Sequence, residues 1–152
     1  MAAGDERSGY NPPDRLRRLP SWLASELAHR GQALVAEALA QEGVRRQHFA
    51  VLTSLAEQGA ASQADLGRRL SIDRSDLHAL LAEMERDGLV ARVRDAADRR
   101  RNVVTLTSAG EAALARLDER VDSAQKALLE PLSATERRKV IRLLERVVSH
   151  PS

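Results

Sequence analysis

Two helix-start signatures stand eleven residues apart in the middle of the chain, and little else so restricts the fold. In Ser62-Gln63-Ala64-Asp65 a hydroxyl can accept from the backbone three residues on, while the carboxylate reaches back, a capping box with Asp in place of Glu. It opens a short apolar run through Leu66 and Leu70. Asp73-Arg74-Ser75-Asp76 repeats the device ahead of a longer run, with Leu77, Leu80, Leu81 and Met84 on one side and Gly88 at its end. Two short capped helices with so few residues between them leave room for one tight turn, which makes a helix-turn-helix candidate.

The flanking segments extend this into a mainly α pattern. Residues 1–14 carry Gly4, Gly9, Pro12 and Pro13 without periodic hydrophobicity and read as a loose, flexible arm. From Ser21, the positions Leu23, Leu27, Leu34 and Ala38 follow helical spacing until Gly43; Phe49, Val51, Leu52, Leu55 and Ala56 form a second helix stopped at Gly59. After the capped pair, Leu89-Val90 and Val93 lead into a polar tip and Val104-Thr105-Leu106 leads out, so the spacing predicts strand, turn and strand. Thr107 then caps a long helix through Leu114, Leu117, Val121 and Leu128, broken at Pro131; Ser133-Ala134-Thr135-Glu136 opens a last helix with Val140, Leu143, Leu144 and Val147.

At 152 residues this is one domain's worth of chain, large enough to fold without staples. There is no cysteine, which removes thiol nucleophiles, thiolate metal sites and disulfide switches. The four histidines, His29, His48, His78 and His150, are scattered without metal-ligand or triad spacing, so neither an enzyme nor a cofactor or metal site is expected. The amino terminus has no apolar core of a signal peptide, and the apolar stretch "ALVAEALA" is short and interrupted by Glu37, which predicts a soluble intracellular protein that does not enter a membrane. Net charge is only +2, so any nucleic-acid reading depends on where the charges lie.

They concentrate in the predicted hairpin. Between residues 92 and 101, Arg92, Arg94, Arg99, Arg100 and Arg101 face only Asp95 and Asp98. A tip this basic suits a narrow, electronegative minor groove, and Asp98 is placed to orient the Arg100 guanidinium beforehand. The competing reading is a solvated hairpin with adventitious ion pairs; its position beside a helix-turn-helix favours the first. On the second capped helix, Asp73, Arg74, Ser75, Asp76, His78 and Ala79 point outward; Arg74 can read guanine bidentately, and Ser75 and His78 can contact bases or phosphate. Asp73 reads as a cap, whereas Asp76 has two readings, helix-dipole partner or acceptor from cytosine N4. Gln63 and Arg68, with Arg69, offer phosphate contacts from the preceding helix, with an ordinary solvated face as the alternative.

The order of elements resembles the MarR family of bacterial winged helix-turn-helix regulators. "FAVLTSLAEQGAASQADLGRRLSIDRSDLHALLAEMERDGLV" is similar to that family's core, and "DRRRNVVTLTSAG" carries its D-x-R…LT-x-x-G wing signature as Asp98, Arg100, Leu106, Thr107 and Gly110. The similarity covers about residues 20 to 149. It implies a fold that is mainly α with a small two-stranded β wing, divided into a dimerisation helix (15–44), a DNA-binding lobe (45–110) and C-terminal dimerisation helices (111–150). It further implies a cytoplasmic bacterial homodimer on double-stranded DNA, nucleoid-associated when bound, with Arg94, Asp98, Arg99, Arg100 and Arg101 at the wing. The chain departs from the pattern at Asp73, Asp76, His78 and Ala79, where the family tends to carry Ser, Thr or Arg.

The terminal helices are apolar beyond what the small lobe can cover; packing them on a twofold mate sets two recognition helices ~34 Å apart and predicts a pseudo-palindromic site. An intramolecular bundle is the alternative. The resemblance also implies a small effector, often phenolic or carboxylate-bearing, between the first two helices and the dimerisation helices. Tyr10, Arg15, Trp22, His29 and Phe49 are the candidates: an arginine can fork onto a carboxylate beside an indole face, and the plain alternative is interface core and surface charge. The rival functions are a winged helix serving only as a protein-interaction or RNA-binding module, which has no use for the arginine-rich tip, and a DNA binder without an inducer.

Overall fold

The computed structural model describes residues 11–150. A one-turn helix, α1 (Asp14–Arg17), precedes α2 (Pro20–Ala40), α3 (Arg46–Gln58), α4 (Gln63–Leu70) and α5 (Arg74–Arg86). The hairpin of β1 (Val90–Arg94) and β2 (Asn102–Leu106) follows, then α6 (Ser108–Leu128) and α7 (Ala134–Val148). Tyr10 and the rest of the first ten residues lie outside the described residues.

Local chemistry explains most of the boundaries. The hydroxyl of Ser62 accepts from the Asp65 N–H, the carboxylate of Asp73 from the Ser75 N–H, and the hydroxyls of Thr107 and Ser133 from the N–H groups of Gly110 and Glu136. Each satisfies a donor that the first helical turn leaves without a partner. The segment from residue 15 is two helices rather than one. Pro20 stands in the first turn of α2 and holds Leu19 extended at φ −73°, ψ 129°, because its ring clashes with a helical residue before it.

Leu39, Val51, Leu52, Leu66, Leu77, Leu81, Met84 and Leu117 are fully buried and join α2, α3, α4, α5 and α6 in one core. Burying each such side chain contributes about 1.5–3 kcal/mol before conformational entropy is deducted. The hairpin is antiparallel, pairing Val90 with Leu106 through to Arg94 with Asn102. Ala61, just ahead of α4, adds a bridge: its N–H donates to the Val104 carbonyl at 3.2 Å and its carbonyl accepts from the Val104 N–H at 2.8 Å. The hairpin is thereby tied to the base of the helix pair.

The root of the hairpin is locked to α6. Thr107 donates its hydroxyl to the Gly88 carbonyl at 2.5 Å and its N–H to the Leu89 carbonyl at 3.2 Å. Gly110 packs so closely there that a Cβ on it would lie 2.0 Å from the Leu89 carbonyl oxygen. The LT-x-x-G motif therefore has a packing cause: threonine caps and staples, and glycine gives the strand its room.

The opposite end of the molecule is apolar and bare. Leu16, Leu19 and Leu23 on and around α1 and α2, and Ile141, Leu143, Leu144, Val147 and Val148 on α7, are exposed, the last two at 74% and 84%. α7 buries no residue in the single chain. Its start is held by Arg137, whose Nε donates to the carbonyls of Leu129 and Leu132 at 3.0 and 2.9 Å, so the turn after α6 is fastened although the helix face is not.

Candidate nucleic-acid interface

α4 and α5 meet across a turn that Ser71 makes in the left-handed region at φ 52°. The Ile72 N–H returns to the Gly67 carbonyl at 3.1 Å, and a Cβ on Gly67 would sit 3.3 Å from the Ile72 carbonyl oxygen, so the helices cross closely. Between them opens a groove of about 1180 Å³. Gln63, Arg68, Asp73, Arg74, Ser75 and His78 all line it. The structure thus brings these six side chains together on one surface, whereas Arg69 and Asp76, also singled out from the two helices, do not line it.

Their hydrogen bonds divide them by role. Asp73 caps α5, accepting from the Ser75 N–H at 2.8 Å and the Ser75 hydroxyl at 2.5 Å. Those bonds, the hydroxyl's foremost, hold its carboxyl below the usual carboxylate range. Its charge is therefore engaged with the helix start, where the helix dipole favours an anion. Gln63 donates to the Arg74 carbonyl at 3.4 Å and spans the two helices. Among the described residues, the Arg74 guanidinium and the His78 ring carry no hydrogen bond or ion pair and face the groove free.

On the hairpin the tip is preorganised through backbone rather than side-chain pairing. The Arg94 guanidinium donates to the Arg99 carbonyl at 2.8 Å, the Asp95 carboxylate accepts from the Ala97 N–H at 2.9 Å, and the Asp98 carboxylate accepts from the Arg100 N–H at 3.0 Å. The expectation that Asp98 orients the Arg100 guanidinium is corrected: a carboxylate two residues before an N–H closes an Asx turn onto it, leaving the side chain out. Among the described residues, the guanidiniums of Arg99 and Arg100 have no partner, and both residues are exposed. Arg101 is drawn back: it pairs with Asp65 on α4 at 3.2 Å. Asp65 also takes the Ser62 hydroxyl at 2.6 Å and pairs with Arg68. The Ser62 bond above all, with Arg68 and Arg101 behind it, lowers its pKa.

The wing and the groove are therefore linked by a carboxylate that sequence reading placed only as a cap. Nothing local signals a partner 36 residues away. Equally unforeseen is a cluster at the start of α3, in which the buried imidazole of His48 and the exposed guanidinium of Arg45 both reach Glu83 on α5.

The effector candidates are not gathered in this way. Arg15 edges a hollow of about 510 Å³ with Asp14, Arg18 and Leu19. Trp22 is half-buried and His29 exposed, both on α2, whereas Phe49 packs against the core from α3. A second cavity, of about 400 Å³, lies between α2, α6 and α7; it is walled by apolar residues such as Leu27, Val35, Leu128 and Leu144, with Gln32, Gln125 and Arg46 as its polar groups. None of the four described candidates, Arg15, Trp22, His29 and Phe49, lines it. Among the described residues, no cluster of acidic and imidazole groups could hold a metal, and no helix is long and apolar enough to cross a membrane.

Comparison with known proteins agrees with this geometry. Residues 42–101, which span α3 to the wing tip, match the model of the MarR family. The chain is 34% identical over 104 residues to the transcriptional regulator HosA of Escherichia coli O157:H7, covering 68% of this chain and 77% of HosA. It is 43% identical over 76 residues to the transcriptional activatory protein BadR of Rhodopseudomonas palustris, a match that spans 48% of this chain and 43% of BadR. Among solved structures, the PcaV transcriptional regulator of Streptomyces coelicolor, in complex with its natural ligand, is 29% identical with a TM-score of 0.67, covering 91% of this chain and 97% of that one. With a capped helix pair, a two-stranded wing and these relatives, the chain belongs to the MarR family of winged helix-turn-helix, DNA-binding transcription regulators.

Proposed function

We propose that the chain acts as a homodimeric, ligand-released repressor on a pseudo-palindromic operator. The carrying observation is the division of its surface: unpaired Arg74, Arg99 and Arg100 with the α4–α5 groove on one side, and a bare apolar face of α1, α2 and α7 on the other. In this reading residues 45–110 enter the duplex. Arg74, Ser75 and His78 meet base edges, Gln63 and Arg68 meet phosphate, and Arg94, Asp98, Arg99, Arg100 and Arg101 build the minor-groove finger. Asp73 shapes the recognition helix rather than touching DNA. Segments 15–44 and 111–150 pair with their copies, and a bound dimer blocks the promoter it covers. Its place is the cytoplasm, on the nucleoid when DNA-bound.

The effector is a small aromatic carboxylate. A cation at the rim of an apolar cavity fits such an acid, since the guanidinium forks onto the carboxylate while the walls take the ring. Arg46 offers that cation beside Gln32 and Gln125, and PcaV is a relative of the same fold with a natural ligand bound. Arg15, Trp22 and His29 flank the neighbouring stretch of α1 and α2, with Phe49 behind. Release follows if the acid prefers a dimer whose recognition helices miss successive major grooves, and it extends only as far as that preference.

The test is anisotropy with a duplex recovered by selection from genomic fragments, titrated with a panel of hydroxybenzoates and other aromatic acids. At least one acid is expected to weaken binding, Arg46→Ala to abolish that response with duplex affinity kept, and Arg15→Ala to keep it. A panel without effect removes the effector; a response lost in Arg15→Ala and kept in Arg46→Ala moves the acid to α1.

A further inference from the structure

His48 is 2% exposed, at the start of α3, and no role in DNA or effector binding claims it. Its Nδ1 accepts from the Arg45 N–H at 3.2 Å, so the ring proton lies on Nε2, which faces Glu83 Oε1 at 3.2 Å. The second oxygen of Glu83 takes the Arg45 guanidinium at 2.8 Å. Glu83 thus takes one bond on each oxygen, and the contacts join residues 35 and 38 positions apart in the chain. Glu83 stands on α5, nine residues from the Arg74 that opens the groove end of the same helix.

We infer that His48, with Arg45, is a positioning residue for the recognition helix: the clasp on Glu83 sets the rotation of α5 about its own axis and hence the aim of Arg74 and His78. The rest of the helix is seated by Leu77, Leu80, Leu81 and Met84. Apolar contact of that kind is strong but non-directional, and a helix on a leucine bed can roll or slide by a fraction of a turn at little cost. A hydrogen bond to a carboxylate is directional, and here one partner, the His48 ring, is itself buried, so the bond it makes favours one packing of α5 among several, with the exposed Arg45–Glu83 pair in support. Arg46, the cation of the α2–α6–α7 cavity, belongs to the same helical turn as the clasp.

The test separates positioning from mere support of the fold. Glutamine at this site offers a carbonyl to the Arg45 N–H and an amide N–H to Glu83, in the same order as the Nε2–H tautomer; methionine keeps a similar length and offers neither. Affinity is measured by anisotropy for a selected duplex and for its scrambled counterpart, with thermal unfolding recorded for each variant. His48→Met is expected to lower the ratio of selected to scrambled affinity about tenfold, the equivalent of one charge-assisted hydrogen bond, and His48→Gln to stay within about threefold of the parent. Glu83→Leu is expected to match His48→Met. An unchanged ratio in His48→Met, or a His48→Gln as impaired as His48→Met, overturns the inference. Should the parent distinguish no duplex, the operator reading falls by itself, and hydrogen exchange still decides the clasp: faster exchange of α5 amides in His48→Met than in His48→Gln supports it, and equal exchange refutes it.

Discussion

Gly110→Ala is expected to lower the thermal unfolding midpoint by roughly 6–12 °C, about 3 kcal/mol or more at this chain length. The added methyl would lie 2.0 Å from the Leu89 carbonyl oxygen and 3.0 Å from its carbon. These are backbone atoms at the root of β1, themselves held by the Thr107 N–H, so relief requires the wing to pull away from α6. Gly31→Ala is the informative control, because its nearest neighbour is the Leu128 Cδ2 at 3.1 Å, the movable end of a side chain. Differential scanning fluorimetry reads both. A Gly110→Ala protein as stable as the parent would mean that the wing root is not packed as described.

Charge placed on α7 is expected to take the dimer apart. Leu144→Glu with Val147→Glu alters side chains 41% and 74% exposed in the single chain, so the monomer's own fold loses little. In the proposed pair those positions would be buried, and a carboxylate without a partner there is costly. Sedimentation should show a monomer with unchanged circular dichroism. Operator affinity should fall about a hundredfold or more, since each lobe then binds without the effective concentration its mate supplied. A charged variant that remains dimeric and binds as before would place the twofold interface elsewhere.

How much of this was legible in the chain follows from the range of each interaction. Caps act within three residues, and Ser62, Asp73, Thr107 and Ser133 could be read directly as helix starts. The hairpin was legible as alternation around a basic tip. Its interior was not: whether Asp98 meets the side chain or the backbone of Arg100 depends on turn geometry that residue types alone leave open. The cap at α3 escaped because arginine and histidine are not usual cap residues, and its meaning depends on Glu83 far along the chain. The break at Leu19 had a visible sign in Pro20, although the segment 15–44 reads as one dimerisation helix. The effector residues were the least legible. Helical phase puts Trp22 and His29 seven residues apart on one face of α2, but says nothing of where cavities form between helices: one hollow opens beside Arg15 and an apolar cavity beside Arg46.

The central claim is that the guanidiniums at the wing tip enter the minor groove of a duplex and offset the charge of the phosphates that flank it, and the salt dependence of binding tests it most directly. Each phosphate neutralised contributes about 0.9 to the fall of log affinity with log salt. The account predicts a steep linear fall for the parent protein, and for Arg99→Ala with Arg100→Ala a slope shallower by about one for each contact removed, with affinity weakened broadly across sequences. A flat response in the parent, or a slope that the double substitution leaves untouched, would contradict it.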